Sequence, residues 1–119
     1  MRIRYLLCLL AWCASTLAFS ASTTFTAIGD QPYFSDAKFL ALIEKINQDT
    51  NSHFTIHVGD IKNGSTECST QRYEVIRDFF NRFEAPLIYT PGDNEWTDCH
   101  RKNNGAYEPQ ERLTKIREL

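Results

Sequence analysis

The 119-residue sequence predicts an α/β fold in which short strands alternate with helices. Three observations carry that reading. Apolar segments ending in Gly-Asp recur at Gly29-Asp30, Gly59-Asp60 and Gly92-Asp93. Stretches with helical apolar spacing stand between them. The repeat of about 30 residues is that of a βαβ unit, whose strands lie parallel and whose ligands gather at the strands' carboxyl ends.

Each element has its own reason. Thr23 to Ile28 is short and rich in Thr, Phe and Ile, as a strand is. In Ser35 to Asp49, Phe39, Leu42, Ile43 and Ile46 fall at i, i+3, i+4 and i+7, which predicts a helix capped by Ser35 or Asp36. His53 to Val58 reads as the second strand, with His57 as a core or face residue of it rather than a ligand. Arg72 to Phe83 places Tyr73, Ile76, Phe79, Phe80 and Phe83 on one helical face, a core stripe by its spacing. Pro86 to Thr90 is the third strand, and a third helix opens at Pro109 or Glu111 and runs through Leu113, Ile116 and Leu119.

The first 20 residues read differently. Arg2 and Arg4 precede a mostly apolar run from Tyr5 to Phe19, and Ala18 and Ser20 are the small residues of a cut after Ser20, which together describe a secretory signal peptide. The run is shorter than the roughly 18 residues a membrane span needs. Residues 21–119 are then one domain, secreted or periplasmic, with no stable membrane span. Removing residues 1–20 takes two arginines from 13 basic residues and none of the 15 acidic ones, leaving a net charge of about minus four. That charge argues against nucleic acid as a partner. Cys68 and Cys99 stay in the mature chain and read as one disulfide in an oxidising compartment, with two buried free thiols as the alternative. About a hundred residues bury only a marginal core for a parallel sheet, which needs cover on both faces.

Asp30, Asp60 and Asp93, brought to one sheet edge, would repel one another unless a cation neutralised them. Hard oxygen ligands suit Mg²⁺, Mn²⁺ or Ca²⁺, and added His or Asn ligands move the preference toward Mn²⁺, Fe or Zn²⁺. Paired cations polarise phosphoryl oxygens and generate a hydroxide nucleophile. The pattern therefore points to metal-assisted phosphoester hydrolysis.

The motifs "IGD" (28–30), "GDIKNG" (59–64) and "PGDNEW" (91–96) resemble the first three motifs of the calcineurin-like metallophosphoesterases, over about residues 24 to 115. The resemblance implies the amino-terminal half of that family's α/β sandwich, a dinuclear centre of divalent ions (Mn, Fe, Zn or Mg), a phosphoester substrate and a metal-activated hydroxide. Asp30 matches the first metal-binding Asp, Asp60 the Asp that bridges both ions, and Asp93 stands where the family has a metal-binding Asn. Pro32 occupies the place of the first motif's His. Asn94 stands where the third motif has its catalytic His, with Glu95 at the acidic position beside it; a shifted register would make Asn94 the ligand and Asp93 its neighbour. His100 is a candidate for the missing imidazole, and Arg101 for a contact to a phosphate oxygen. The family's later motifs, a lone His and Gly-His-x-His, do not occur before Leu119. The alternative reading is a non-catalytic fragment or pseudoenzyme that keeps the scaffold; a third is a secreted module that binds Ca²⁺ for structure. Oligomeric state is left open.

Overall fold

A computed structural model describes residues 22–118 apart from Phe34. The leader expected at residues 1–20 lies outside the described residues, as does Leu119. Among the described residues, no helix is long and apolar enough to cross a membrane.

The chain runs β1 (Thr26–Ile28), α1 (Asp36–Asn47), β2 (Thr55–His57), α2 (Thr70–Phe80), β3 (Leu87–Tyr89), two short 3-10 turns (Thr97–His100 and Lys102–Asn104) and α3 (Pro109–Arg117). The strands form one parallel sheet in the order β1-β2-β3, with Thr26, Thr55 and Leu87 in register at one end and Ile28, His57 and Tyr89 at the other. The regular strands are shorter than the predicted segments. Backbone hydrogen bonds nevertheless continue past them, from His53 N–H to the Thr24 carbonyl and from Asp30 N–H to the Gly59 carbonyl. The apolar segments thus record the whole ladder, of which the regular strand is the middle.

Side chains alternate across a strand, and the two faces of this sheet have different fates. Thr55 and His57 are fully buried beneath α1 and α2, where the His57 ring lies 6.3 Å from Phe39, 5.3 Å from Phe80 and 5.9 Å from Tyr89. The opposite face carries Ala27, Ile56 and Ile88 across the three strands. Phe25, Val58 and Ile88 are half-exposed or more.

The helices start where local chemistry satisfies their first N–H groups. Ser35 Oγ accepts from Lys38 N–H at 3.3 Å, which chooses Ser35 over Asp36 as the cap of α1. Ser69 Oγ accepts from Arg72 N–H at 3.3 Å, so α2 opens at Thr70, earlier than the periodic residues indicate. Glu108 caps α3, with Pro109 in its first turn. In α3 the buried residue is Arg112, and Leu113 and Ile116 are only half-buried. Arg112 donates through Nη1 to the Cys68 carbonyl at 3.0 Å and lies over the Tyr107 ring at 4.4 Å. The core itself gathers Ile61, Cys68, Tyr73, Ile76 and Cys99. Cys68 and Cys99 are disulfide-bonded, with Cα atoms 5.8 Å apart.

Candidate functional site

Because β1, β2 and β3 are parallel neighbours, the turns that follow them stand side by side at their carboxyl ends. Asp30 N–H donates to the Gly59 carbonyl at 3.1 Å, which joins the first turn to the second. The second and third turns touch more closely still. A Cβ on Gly59 would lie 2.2 Å from Gly92 N, and one on Gly92 would lie 2.2 Å from Asp60 Oδ1. Only glycine at both positions allows this approach. Asp30 and Asp60 each hold φ 57°, a left-handed conformation that non-glycine residues adopt rarely and that recurs at functional sites.

The two carboxylates meet at one phenol. Tyr33 Oη lies 2.7 Å from Asp30 Oδ1 and 3.1 Å from Asp60 Oδ2, and it accepts from Asn94 Nδ2 at 3.1 Å. Two carboxylates therefore share one phenolic proton. Partial burial and the hydrogen bond to Asp30 push the Tyr33 hydroxyl pKa up. Asn94 contributes a second contact, its backbone N–H lying 3.3 Å from Asp60 Oδ1.

Glu95 holds the arrangement from below. It is fully buried, and its Oε1 accepts from Asp60 N–H at 3.1 Å, Gly92 N–H at 2.7 Å and Tyr89 Oη at 2.7 Å. Its backbone carbonyl accepts from Tyr73 Oη at 2.7 Å. Its Oε2 is buried with no partner among the described residues, and burial raises its pKa against the opposing pull of Tyr89 and Gly92. The ammonium of Lys62, also fully buried, donates to the Asn63 carbonyl at 3.2 Å. Burial lowers its pKa, and the nearby carboxylates of Glu95, Asp98 and Asp60 oppose that shift.

His57 belongs to the scaffold. Its Nε2 lies 3.0 Å from the Gln31 carbonyl and its Nδ1 accepts from Gly59 N–H at 3.2 Å, a pairing that a neutral ring with its proton on Nε2 satisfies. Burial lowers its pKa in the same sense. The ring thereby ties the first Gly-Asp turn to the second.

Of the residues singled out from the sequence, Asp30, Asp60 and Asn94 come together. Asp93 is exposed, and its carbonyl accepts from Trp96 N–H, Asp98 N–H and Thr97 Oγ1, starting the first 3-10 turn. His100 is exposed as well, with Nδ1 2.6 Å from the Thr97 carbonyl. Among the described residues, no group of three His, Cys, Asp or Glu side chains is placed to hold a metal ion. The donor set that does converge consists of oxygens: Asp30, Asp60 and the Tyr33 phenol. Oxygen donors of this kind suit a hard cation. Tyr33 and Glu95 are the residues whose roles the sequence understated. Tyr33 stands three residues after Asp30 in "GDQPY", the one sequence signal for it, while nothing local marks Glu95 as the acceptor that joins two loops.

A family model for the calcineurin-like phosphoesterases matches residues 23–117, and the chain belongs to that family. Its members generally use divalent metal ions. No curated protein and no solved structure matches the chain.

Proposed function

We propose that this chain is a metal-dependent phosphoesterase that hydrolyses a phosphate mono- or diester, and that it works as a secreted or periplasmic protein after loss of residues 1–20. The observation that carries the reading is the convergence of Asp30 and Asp60 on the Tyr33 oxygen at the carboxyl ends of β1 and β2. Asp30, Asp60 and Tyr33 would hold the cation, with Asp93 one turn away. A divalent cation supplies Lewis acidity toward a phosphoryl oxygen and makes water a nucleophile at neutral pH. The chain's own part is to hold the two carboxylates in place through Glu95, Gly59 and Gly92, and to present the Asn94 amide to the same space. Asn94 is neutral, so it orients a substrate oxygen by hydrogen bonding and transfers no proton.

One observation favours a second reading, a non-catalytic member that keeps the scaffold: no third acidic, His or Cys side chain joins Asp30 and Asp60 among the described residues. Hydrolysis of chromogenic mono- and diesters, with Mn²⁺ and after chelation, separates the two. The phosphoesterase reading expects chelator-sensitive turnover that falls by about a hundredfold or more in Asp60→Asn, since even residues that merely support metal ligands cost about 10–100-fold. Unchanged turnover in that variant would sink it.

A further inference from the structure

We infer that Arg72 is a positioning residue for the cation site: from the first turn of α2 it clasps both ends of the segment that carries Tyr33 and so keeps the phenol between Asp30 and Asp60. The inference rests on the metal-dependent reading proposed above.

Tyr33 belongs to neither strand nor helix, so no regular element fixes where its hydroxyl stands. Its oxygen is nevertheless held within hydrogen-bond reach of Asp30 Oδ1, Asp60 Oδ2 and Asn94 Nδ2. Buried backbone groups outside regular structure need partners from elsewhere, and here three successive carbonyls find them in side chains of the following elements. The Gln31 carbonyl lies 3.0 Å from His57 Nε2, the Pro32 carbonyl accepts from Arg72 Nη2 at 3.3 Å, and the Tyr33 carbonyl accepts from Asn63 Nδ2 at 3.4 Å. Pro32 is fully buried and has no N–H, so its carbonyl is the one backbone handle it offers.

Arg72 does more than the other two donors. Its Nη1 also donates to Asp36 Oδ1 at 3.2 Å, so one guanidinium holds Pro32 and Asp36, which bracket Tyr33. The Arg72 side chain is largely buried and Asp36 is half-exposed. The helix that carries Arg72 gains nothing from the charge. A cation in a first turn opposes the helix dipole, the first turn of α2 holds no acidic residue, and the start of the helix is secured by Ser69 instead. The partners of the guanidinium lie in the Tyr33 segment and at the start of α1, across the carboxyl edge of the sheet.

Charge and position predict opposite signs. A positive side chain near a cation site repels the metal, so its removal would tighten binding if charge were all it supplied. Removing a clasp that places a ligand weakens binding, by about 10–100-fold for groups that stand behind metal ligands.

The full mature chain is titrated calorimetrically with Mn²⁺ as wild type, Arg72→Ala, Arg72→Lys, Tyr33→Phe and the Arg72→Ala/Tyr33→Phe double variant, with melting temperatures measured alongside. Arg72→Ala is expected to weaken binding by about tenfold or more. Arg72→Lys recovers only part of that loss, because a single ammonium does not match the reach of two guanidinium nitrogens. In the double variant the loss stays close to that of Tyr33→Phe alone, since the clasp no longer matters once the oxygen it places is gone. A merely structural role would lower the melting temperature and give losses that multiply. Tighter or unchanged binding in Arg72→Ala, losses that multiply, or a wild type that takes up no Mn²⁺ would overturn the inference. Where Arg72→Ala does not fold, the cycle is run with Arg72→Lys and the same outcomes decide. Coupled losses without hydrolysis of a mono- or diester leave the positioning role standing and remove the phosphoesterase reading; Mn²⁺-dependent hydrolysis with losses that multiply does the reverse.

Discussion

The residue that most constrains this site has no side chain. Gly92 lies so close to Asp60 that a methyl group would meet Oδ1 at 2.2 Å and the backbone N at 2.6 Å. The backbone cannot retreat freely, because Glu95 Oε1 accepts from both Asp60 N–H and Gly92 N–H, and Oδ1 itself accepts from Asn94 N–H. We expect Gly92→Ala to cost roughly 1–3 kcal/mol, the usual range for overpacking a buried contact, read as a lower urea midpoint with an unchanged slope. Metal affinity should fall with it, since Asp60 must move. A variant as stable as wild type and equal in metal affinity would show that the two turns are not held against each other. At this scale the sequence was legible where a chemical type announces itself, as with Asp30, Asp60 and Asn94. It understated Tyr33 and Glu95, whose roles depend on which loops the fold brings together: Asp60 and Glu95 are 35 residues apart in sequence.

Elements were legible through periodicity and blurred at their ends, for physical reasons that differ from one to the next. The stripe Tyr73, Ile76 and Phe80 announced α2, but the cap that starts it, Ser69, lies outside the stripe. Phe83 continues the stripe past the end of the helix and still meets Phe80, ring centroids 6.5 Å apart. The third helix is the larger surprise, because Leu113 and Ile116 predicted an apolar docking face and Arg112 is the side chain that is buried. Its guanidinium is matched by the Cys68 carbonyl, Thr70 Oγ1 and the faces of Tyr107 and Tyr73. This lets a charge enter where an unpaired one could not. The disulfide does for the loops what Arg112 does for the helix. It joins positions 31 residues apart, and both sulfurs lie under the Asn94 carbonyl, at 3.6 and 3.8 Å. Replacing both cysteines by serine should cost roughly 3–4 kcal/mol from the freed loop alone, measured by thermal or urea unfolding. A loss below about 1 kcal/mol would mean that the loop is ordered without its bridge.

For the molecule as a whole, the tension seen in the sequence is resolved unevenly. A parallel sheet is ordinarily covered on both faces. Here α1 and α2 cover the face that carries Thr55 and His57, and among the described residues nothing covers the face with Phe25, Val58 and Ile88, each at least half-exposed. Apolar residues on that face stabilise the fold less than their number implies. Much of the order at the carboxyl edge comes instead from a polar network running from His57 through the Gly-Asp turns to Glu95, Tyr89 and Tyr73. That concentration of buried hydrogen bonds at one edge is what a site needs if its carboxylates are to be ready before a ligand arrives. The fold class and the placement of the turns could be read from spacing; how Asp93 is turned and which oxygens converge could not. The central claim is that Asp30 and Asp60 form a cation site, and the most direct test is equilibrium dialysis of the mature chain against Mn²⁺ followed by elemental analysis. One ion per wild-type chain is expected, and almost none for Asp60→Asn at the same concentration. Wild-type protein that emerges without metal, or an Asp60→Asn variant that retains as much as wild type, would contradict it.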